Sequence, residues 1–309
     1  MHHLPKAQGL YDPRAEHDAC GVAFVADLHG RKSRDVVDRA LTALVKLQHR
    51  GATNAEPTTG DGAGILIQIP DTYYRSIIPT LPVLGHYATG IVFLPRDEDL
   101  ALKARESMVR VFAEQGLETI AFRPVPYEVG DLGEQAKELL PRFEQVFISS
   151  EYDYSGLDLD RQVYLARKRV EHEVPDKTGA ELYFASLSSR TIVYKGMLTT
   201  PQLLSFFPEL ADQRIESAIA LVHSRFSTNT FPAWPLAHPY RFIAHNGEIN
   251  TVMGNRNWMR AREGLLETDF WGSKLDHIFP ICTPDASDTA SLDEALELLH
   301  LGGYSIHHA

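Results

Sequence analysis

Apolar and polar positions change period along this chain, between continuous strand-like runs and helix-like stripes. CGVAFVA (20–26) is apolar and β-compatible and predicts a buried strand. After Ser33 as a cap, Val36, Val37, Ala40, Leu44, Val45 and Leu47 recur at helical spacing, predicting a helix over 33–48. ILIQIP (65–70), YATGIVFL (87–94) and QVFISS (145–150) predict strands, and one-sided polarity predicts helices over 98–115 and 158–172. ELYFASLS and RTIVYKG, within 181–196, predict a hairpin. Residues 216–228 start as an apolar strand and end polar, and 241–250 form a short strand entering an Asn-Gly turn. A helix over 251–265 places Trp258 and Met259 on its apolar side. A last amphipathic helix, 287–299, starts behind a Ser287 or Asp288 cap. Alternation of this kind implies layered α and β structure.

The segments between these elements carry their own signals. HRGATNAEPTTGDGAG (49–64) holds four glycines and little hydrophobicity, so it is a loop. Its GDGAG lacks the lysine and spacing of a phosphate loop and precedes a strand, which implies backbone packing close to the Cys20 thiol. Residues 1–19 are irregular, contain Pro5 and Pro13, and lack the apolar stretch of a signal peptide. They form a leader before the first strand. At the other end, Gly302-Gly303 followed by a few residues of a new element predicts a domain incomplete at its C-terminal end.

Composition narrows the function classes. The 309 residues are 44% hydrophobic and 23% charged, ordinary for a soluble globular chain. A formal charge of -11 gives no basic footprint for nucleic acid. No apolar run approaches a membrane span. Two cysteines, Cys20 and Cys282, are too few for a disulfide scaffold, a four-cysteine zinc site or an iron–sulfur cluster, and imply a reducing, cytoplasmic setting. The His2-His3 and His307-His308 pairs have no partner at ligand spacing, so no metal is expected and exposed termini are. Cys282 is expected to be structural.

Cys20 is the residue with chemistry to offer. In a strand a cysteine is usually a buried apolar residue. If the Ala19–Cys20 bond is cut, however, its thiol sits beside a free α-amine, whose reference pKa near 7.7–8.0 lets it accept a proton where a peptide nitrogen cannot. One residue then supplies nucleophile and base. Asn246 and Gly247, at a sharp turn, can aim a side-chain amide and a backbone N–H at one oxyanion, although Asn-Gly is also the commonest hairpin signal. Arg225 in HSRFST and Arg50 in QHRGA are candidate forks for a substrate carboxylate. Asp288 is a candidate for a substrate ammonium, or a plain helix cap.

CGVAFVAD, LQHRGA, TGDGAGILIQIP, the block from His223 to Gly264 and SDTASLDEALELL together resemble, in order, the glutaminase domain of glutamate synthase large subunits. That domain is a class II glutamine amidotransferase of the N-terminal-nucleophile hydrolase type. The resemblance covers essentially the whole chain and implies an α+β fold, a four-layer αββα sandwich. It implies removal of 1–19 and an amidotransferase domain over 20–309. It matches Cys20 to the nucleophile, Asn246 and Gly247 to the oxyanion hole, Arg225 to the holder of the glutamine α-carboxylate, and Asp288 to the holder of the α-amino group. Thr228 and Arg50 match further pocket positions. It assigns no cofactor to this segment, but FMN and a 3Fe-4S cluster to the full-length parent, whose partners are glutamine, the remaining domains and a reductant-supplying small subunit. Ala23 departs from the family's Cys-Gly-Val-Gly by one methyl, which a strand can absorb. Two other readings are open: a different N-terminal-cysteine amidohydrolase, and an inert truncated or unprocessed module.

Overall fold

The computed structural model describes residue 8 and residues 21–53, 56–225 and 231–309. The leader (residue 8 apart), Cys20 and Thr228 therefore lie outside the described residues. Within them the strands are β1 (Val22–Ala26), β2 (Ala63–Gln68), β3 (Tyr87–Leu94), β4 (Leu117–Pro124), β5 (Arg142–Ser150), β6 (Tyr183–Phe184), β7 (Thr191–Gly196) and β8 (Ile219–Ser224). The helices are α1 (Arg34–Lys46), α2 (Asp71–Ile77), α3 (Glu98–Glu114), α4 (Glu134–Glu138), α5 (Gly156–Thr178), α6 (Gln202–Phe206), α7 (Val252–Glu263) and α8 (Asp288–Leu301).

The strands pair antiparallel in two sheets, ordered β1-β8-β2-β7 and β4-β5-β3-β6. Pleating gives each strand two faces, and the second sheet uses both. Ala88, Val92, Leu94, Val146 and Ile148 pack under α3 and α5. Ile91, Phe93, Phe143 and Phe147, on its other face, join one core with Ile65, Ile67 and Val222 of the first sheet and with Val36, Val37, Ala40, Leu41 and Leu44 of α1. Two sheets with a shared core and helices on them form the layered α+β sandwich expected from the sequence. Ala23 sits in β1 opposite Val222, partly buried against that core.

Four elements depart from expectation. Residues 181–196 are not a hairpin: β6 pairs with β3 and β7 with β2, so the chain crosses here from one sheet to the other. β4 is an edge strand with an irregularity between Thr119 and Ala121, which breaks the period-2 pattern that would have announced it. Segment 241–250 forms no strand; its backbone N–H groups bond to side chains instead of a ladder. On α7, Met259 packs on the cluster of Trp271, Leu275 and Ile278, but Trp258, one residue earlier and rotated by about 100°, is 70% exposed.

α8 is anchored through charge as well as apolar contact. Its buried face includes Asp293, Glu294 and Glu297. Arg167 of α5, fully buried, donates to Glu297 at 2.5 Å, and Lys168 meets Glu294 at 3.4 Å and the Ile281 carbonyl at 3.0 Å. Arg241 adds contacts to Asp293 and Glu297 at 3.3 and 3.8 Å. Buried charges persist only when paired this way, so α8 is fixed against α5. No described helix is long and apolar enough to cross a membrane.

Candidate active site

The first sheet delivers its chemistry at one end. β1 and β8 run antiparallel with Val22 opposite His223, and the Gly21 carbonyl accepts the Ser224 N–H at 2.7 Å. Gly21, the residue after Cys20, therefore lies beside the end of β8. It also lies beside Asn246: a Cβ on Gly21 would fall 2.6 Å from Asn246 Nδ2 and 2.2 Å from the Ser224 carbonyl oxygen. The chain position next to the expected nucleophile and the expected oxyanion donor are thus in contact. Asn246 Nδ2 donates one hydrogen to that Ser224 carbonyl at 3.2 Å; an amide nitrogen carries a second.

The turn bearing Asn246 and Gly247 is built on histidines. His223 Nε2 donates to the His245 carbonyl at 3.2 Å, and the His245 N–H donates to His238 Nδ1 at 3.4 Å. The first bond needs a proton on His223 Nε2; the second needs a neutral His238 ring with its proton on Nε2, leaving Nδ1 free to accept. Burial supplies that state. It pushes the His223 pKa down to about 3 and holds His238 well below the ordinary histidine value, helped by the neighbouring His223, Lys195 and Arg225. The two rings stack at 4.4 Å. The His245 ring in turn lies on Gly247, where a Cβ would come 2.7 Å from its Nε2. Only a residue without a side chain fits under the ring as it stands.

Opposite the turn, Ser287 caps α8 by accepting the Ala290 N–H at 3.1 Å, and Tyr240 meets the same hydroxyl at 3.0 Å. The cap is therefore Ser287, and Asp288 is the first helical residue. Its Oδ1 accepts its neighbour's Thr289 N–H and its Oδ2 the Ile249 N–H, each at 2.7 Å. Asp288 thus joins the start of α8 to the far end of the Asn-Gly turn.

These elements surround one cavity of about 210 Å³, lined by Arg225, Asn246, Gly247, Asp288 and Arg256 among others. Arg225 is buried, with Nη1 donating to the Asp61 carbonyl at 3.3 Å, its own N–H to Gly62 and its carbonyl accepting from Ala52. Desolvation lowers its pKa, opposed by Asp61, Tyr240 and Asp288. A guanidinium and a carboxylate thus face one polar cavity, the charge arrangement of a zwitterion's mirror image. Four of the expected site residues, Arg225, Asn246, Gly247 and Asp288, line it together. Arg50 is not among its described lining residues; it ends a 3₁₀ turn at the foot of the glycine loop. That loop packs closely on backbone, Cβ atoms on Gly60 and Gly64 colliding with the carbonyls of Leu198 and His238, while the Cys20 thiol that GDGAG was expected to approach lies outside the described residues.

Sequence reasoning missed His223, His238 and Arg256. The first two stand in HSRFST and AHPY, where nothing local marks them as a stacked pair. Arg256 Nε donates to Ser291 at 2.9 Å and its Nη2 to the carbonyls of Ala286 and Ser287, tying α7 to α8. Cys282 is half-buried, its thiol pushed up to about 11 by burial, as suits a structural cysteine. His307 and His308 are exposed.

Comparison with known proteins identifies the family. The family model of class II glutamine amidotransferases matches residues 20–309. The chain is 44% identical over 308 residues to the glutamate synthase [NADPH] large chain of Bacillus subtilis, covering 99% of this chain and 20% of that protein. It is 41% identical over 304 residues to the chloroplastic ferredoxin-dependent glutamate synthase 2 of Arabidopsis thaliana, covering 97% and 19%. With the glutamate synthase [NADH] of Saccharomyces cerevisiae it shares 40% over 316 residues, covering 97% and 14%. It spans between about a seventh and a fifth of the length of these relatives. With a family match that begins at Cys20 and runs through every element of the cavity, this chain belongs to the class II glutamine amidotransferases.

Proposed function

We propose that this chain is the glutaminase part of a glutamate synthase, releasing ammonia from glutamine through a thioester on Cys20. The observation that carries the reading is the contact between Gly21 and Asn246, which lines one cavity with Arg225 and Asp288. The α-amine of Cys20, freed by loss of residues 1–19, takes the thiol proton, and the sulfur attacks the glutamine carboxamide carbon. The second hydrogen of Asn246 Nδ2 and the Gly247 N–H meet the oxyanion. The proton passes to the departing nitrogen, ammonia leaves, and water hydrolyses the γ-glutamyl thioester to glutamate with the same amine as base. Arg225 binds the α-carboxylate and Asp288 the α-ammonium, which excludes amides lacking those groups. Thr228 and Arg50 belong to the wider pocket in this reading.

The ammonia would aminate 2-oxoglutarate in the longer parent, in domains that carry FMN and a 3Fe-4S cluster, with a small subunit as reductant source. Two cysteines in this chain do not fit a cluster of its own. The test is Cys20→Ala with glutamine as substrate and ammonia release as readout. Loss of release is expected; continued release at the wild-type rate overturns the reading.

A further inference from the structure

We infer that Asp293, a buried carboxylate on α8, is a positioning residue for the Asn246–Gly247 cradle. The inference rests on the glutaminase reading above and extends it to a residue outside the cavity lining. Segment 241–249 has no ladder to hold it, yet it carries both oxyanion donors. Its backbone N–H groups are met by α8 at two points. Asp293 Oδ1 accepts from Phe242 at 2.8 Å and Ile243 at 3.1 Å, while its Oδ2 meets the Arg241 N–H and Nη1 at 3.3 Å each. Asp288, one and a half turns earlier on the same helix, accepts the Ile249 N–H. The turn at Asn246 is thus slung between two carboxylates of one rigid element.

Asp293 has no exposed surface and no other work visible among the described residues. A carboxylate is the one side chain of its size with acceptor oxygens alone, so it serves several N–H groups at once. α8 is held in place by the Arg167–Glu297 and Lys168–Glu294 pairs, so the position of Asp293, and through it the donors, is referred to α5 rather than to the loop itself. Asp288 is common to the α8 clamp and the substrate-binding reading. Filling the amino-acid subsite and holding the cradle would then act on one side chain.

The test has an arm that needs no activity. In the wild-type protein, hydrogen exchange at Phe242 and Ile243 is expected to be as slow as in β8; exchange at the rate of an exposed loop overturns the inference without touching the glutaminase reading. Asp293→Ala is expected to lower kcat for glutamine about 10- to 100-fold, since small misplacements of preorganised donors cost that much. KM stays within about twofold, because Arg225 and Asp288 remain. Alkylation of Cys20 by iodoacetamide, which needs no oxyanion donor, keeps its rate. Asp293→Asn retains an accepting oxygen and restores most of kcat. An unchanged kcat in Asp293→Ala, or equal losses in the Ala and Asn variants, overturns the inference. A wild-type protein that releases no ammonia overturns the glutaminase reading instead, and the exchange measurement still decides this one.

Discussion

Gly21 and Asn246 are in contact across the end of the first sheet: the glycine leaves no room for a methyl between its own backbone and the asparagine amide. The same absent Cβ would fall 2.2 Å from the Ser224 carbonyl, which is backbone and cannot rotate away.

Gly21→Ala is therefore expected to push β1 away from β8 and draw Asn246 out of line. Overpacking of this kind costs about 1–3 kcal/mol of stability, and a displacement of about 1 Å at the reacting atoms costs about 10²-fold in rate. The prediction is a fall in kcat for glutamine much larger than the modest loss of melting temperature explains. A variant with wild-type kcat would show that the strand ends do not set the reacting geometry.

Much of this arrangement was legible beforehand, and the reasons divide by distance along the chain. Regular strands and helices announce themselves by period, so β1, β3, β5, α1, α3 and α8 appear near their expected places. The glycine loop was readable as close backbone packing because its glycines have no other use. What failed to show depends on partners far away in sequence. RFIAHNGEIN looks like a strand because a short apolar run, Phe242-Ile243-Ala244, leads into an Asn-Gly pair, yet its N–H groups belong to carboxylates about forty to fifty residues later. The carboxylates of α8 look like a solvated face until Arg167 and Lys168, more than 120 residues earlier, are set against them. Trp258 looks like core by its type, and period alone cannot say whether anything covers it.

Asp288 carries two interactions that substitutions can separate. Asn at 288 keeps an oxygen for the Ile249 N–H and removes the charge that would hold an α-ammonium. Ala removes both. Hydrogen bonds to charged groups contribute about 1.5–3 kcal/mol, so Asp288→Asn is expected to raise KM for glutamine about 10- to 100-fold with kcat nearly kept. Asp288→Ala is expected to raise KM as much and lower kcat as well. Steady-state kinetics of the two variants decide the matter: an unchanged KM in both removes Asp288 from the amino-acid subsite.

The stacked His223 and His238 make a prediction about acid. Both are held neutral in the fold, His223 with its pKa pushed down to about 3 and His238 well below the usual value, because burial and the nearby Lys195, Arg225 and His245 disfavour a charged ring. In the unfolded chain each titrates near 6.5. Above that pH neither state is protonated and the pair adds no pH dependence. As pH falls below about 6.5, the unfolded chain takes up protons that the folded one refuses, and stability declines by up to about 1.4 kcal/mol per pH unit for each ring. The decline sets in before most carboxylates begin to titrate; His172, whose pKa burial also lowers, adds to it in the same window of about pH 6.5 to 5, so the share of His223 is read from a variant. Protonation would also turn His238 Nδ1 from an acceptor of the His245 N–H into a donor and break the bond that shapes the turn. Urea midpoints measured across that window should fall for the wild type and fall less steeply for His223→Gln, which stays neutral and can still donate to the His245 carbonyl. Parallel slopes for the two proteins would mean that His223 is already charged, or free to become so, in the folded state.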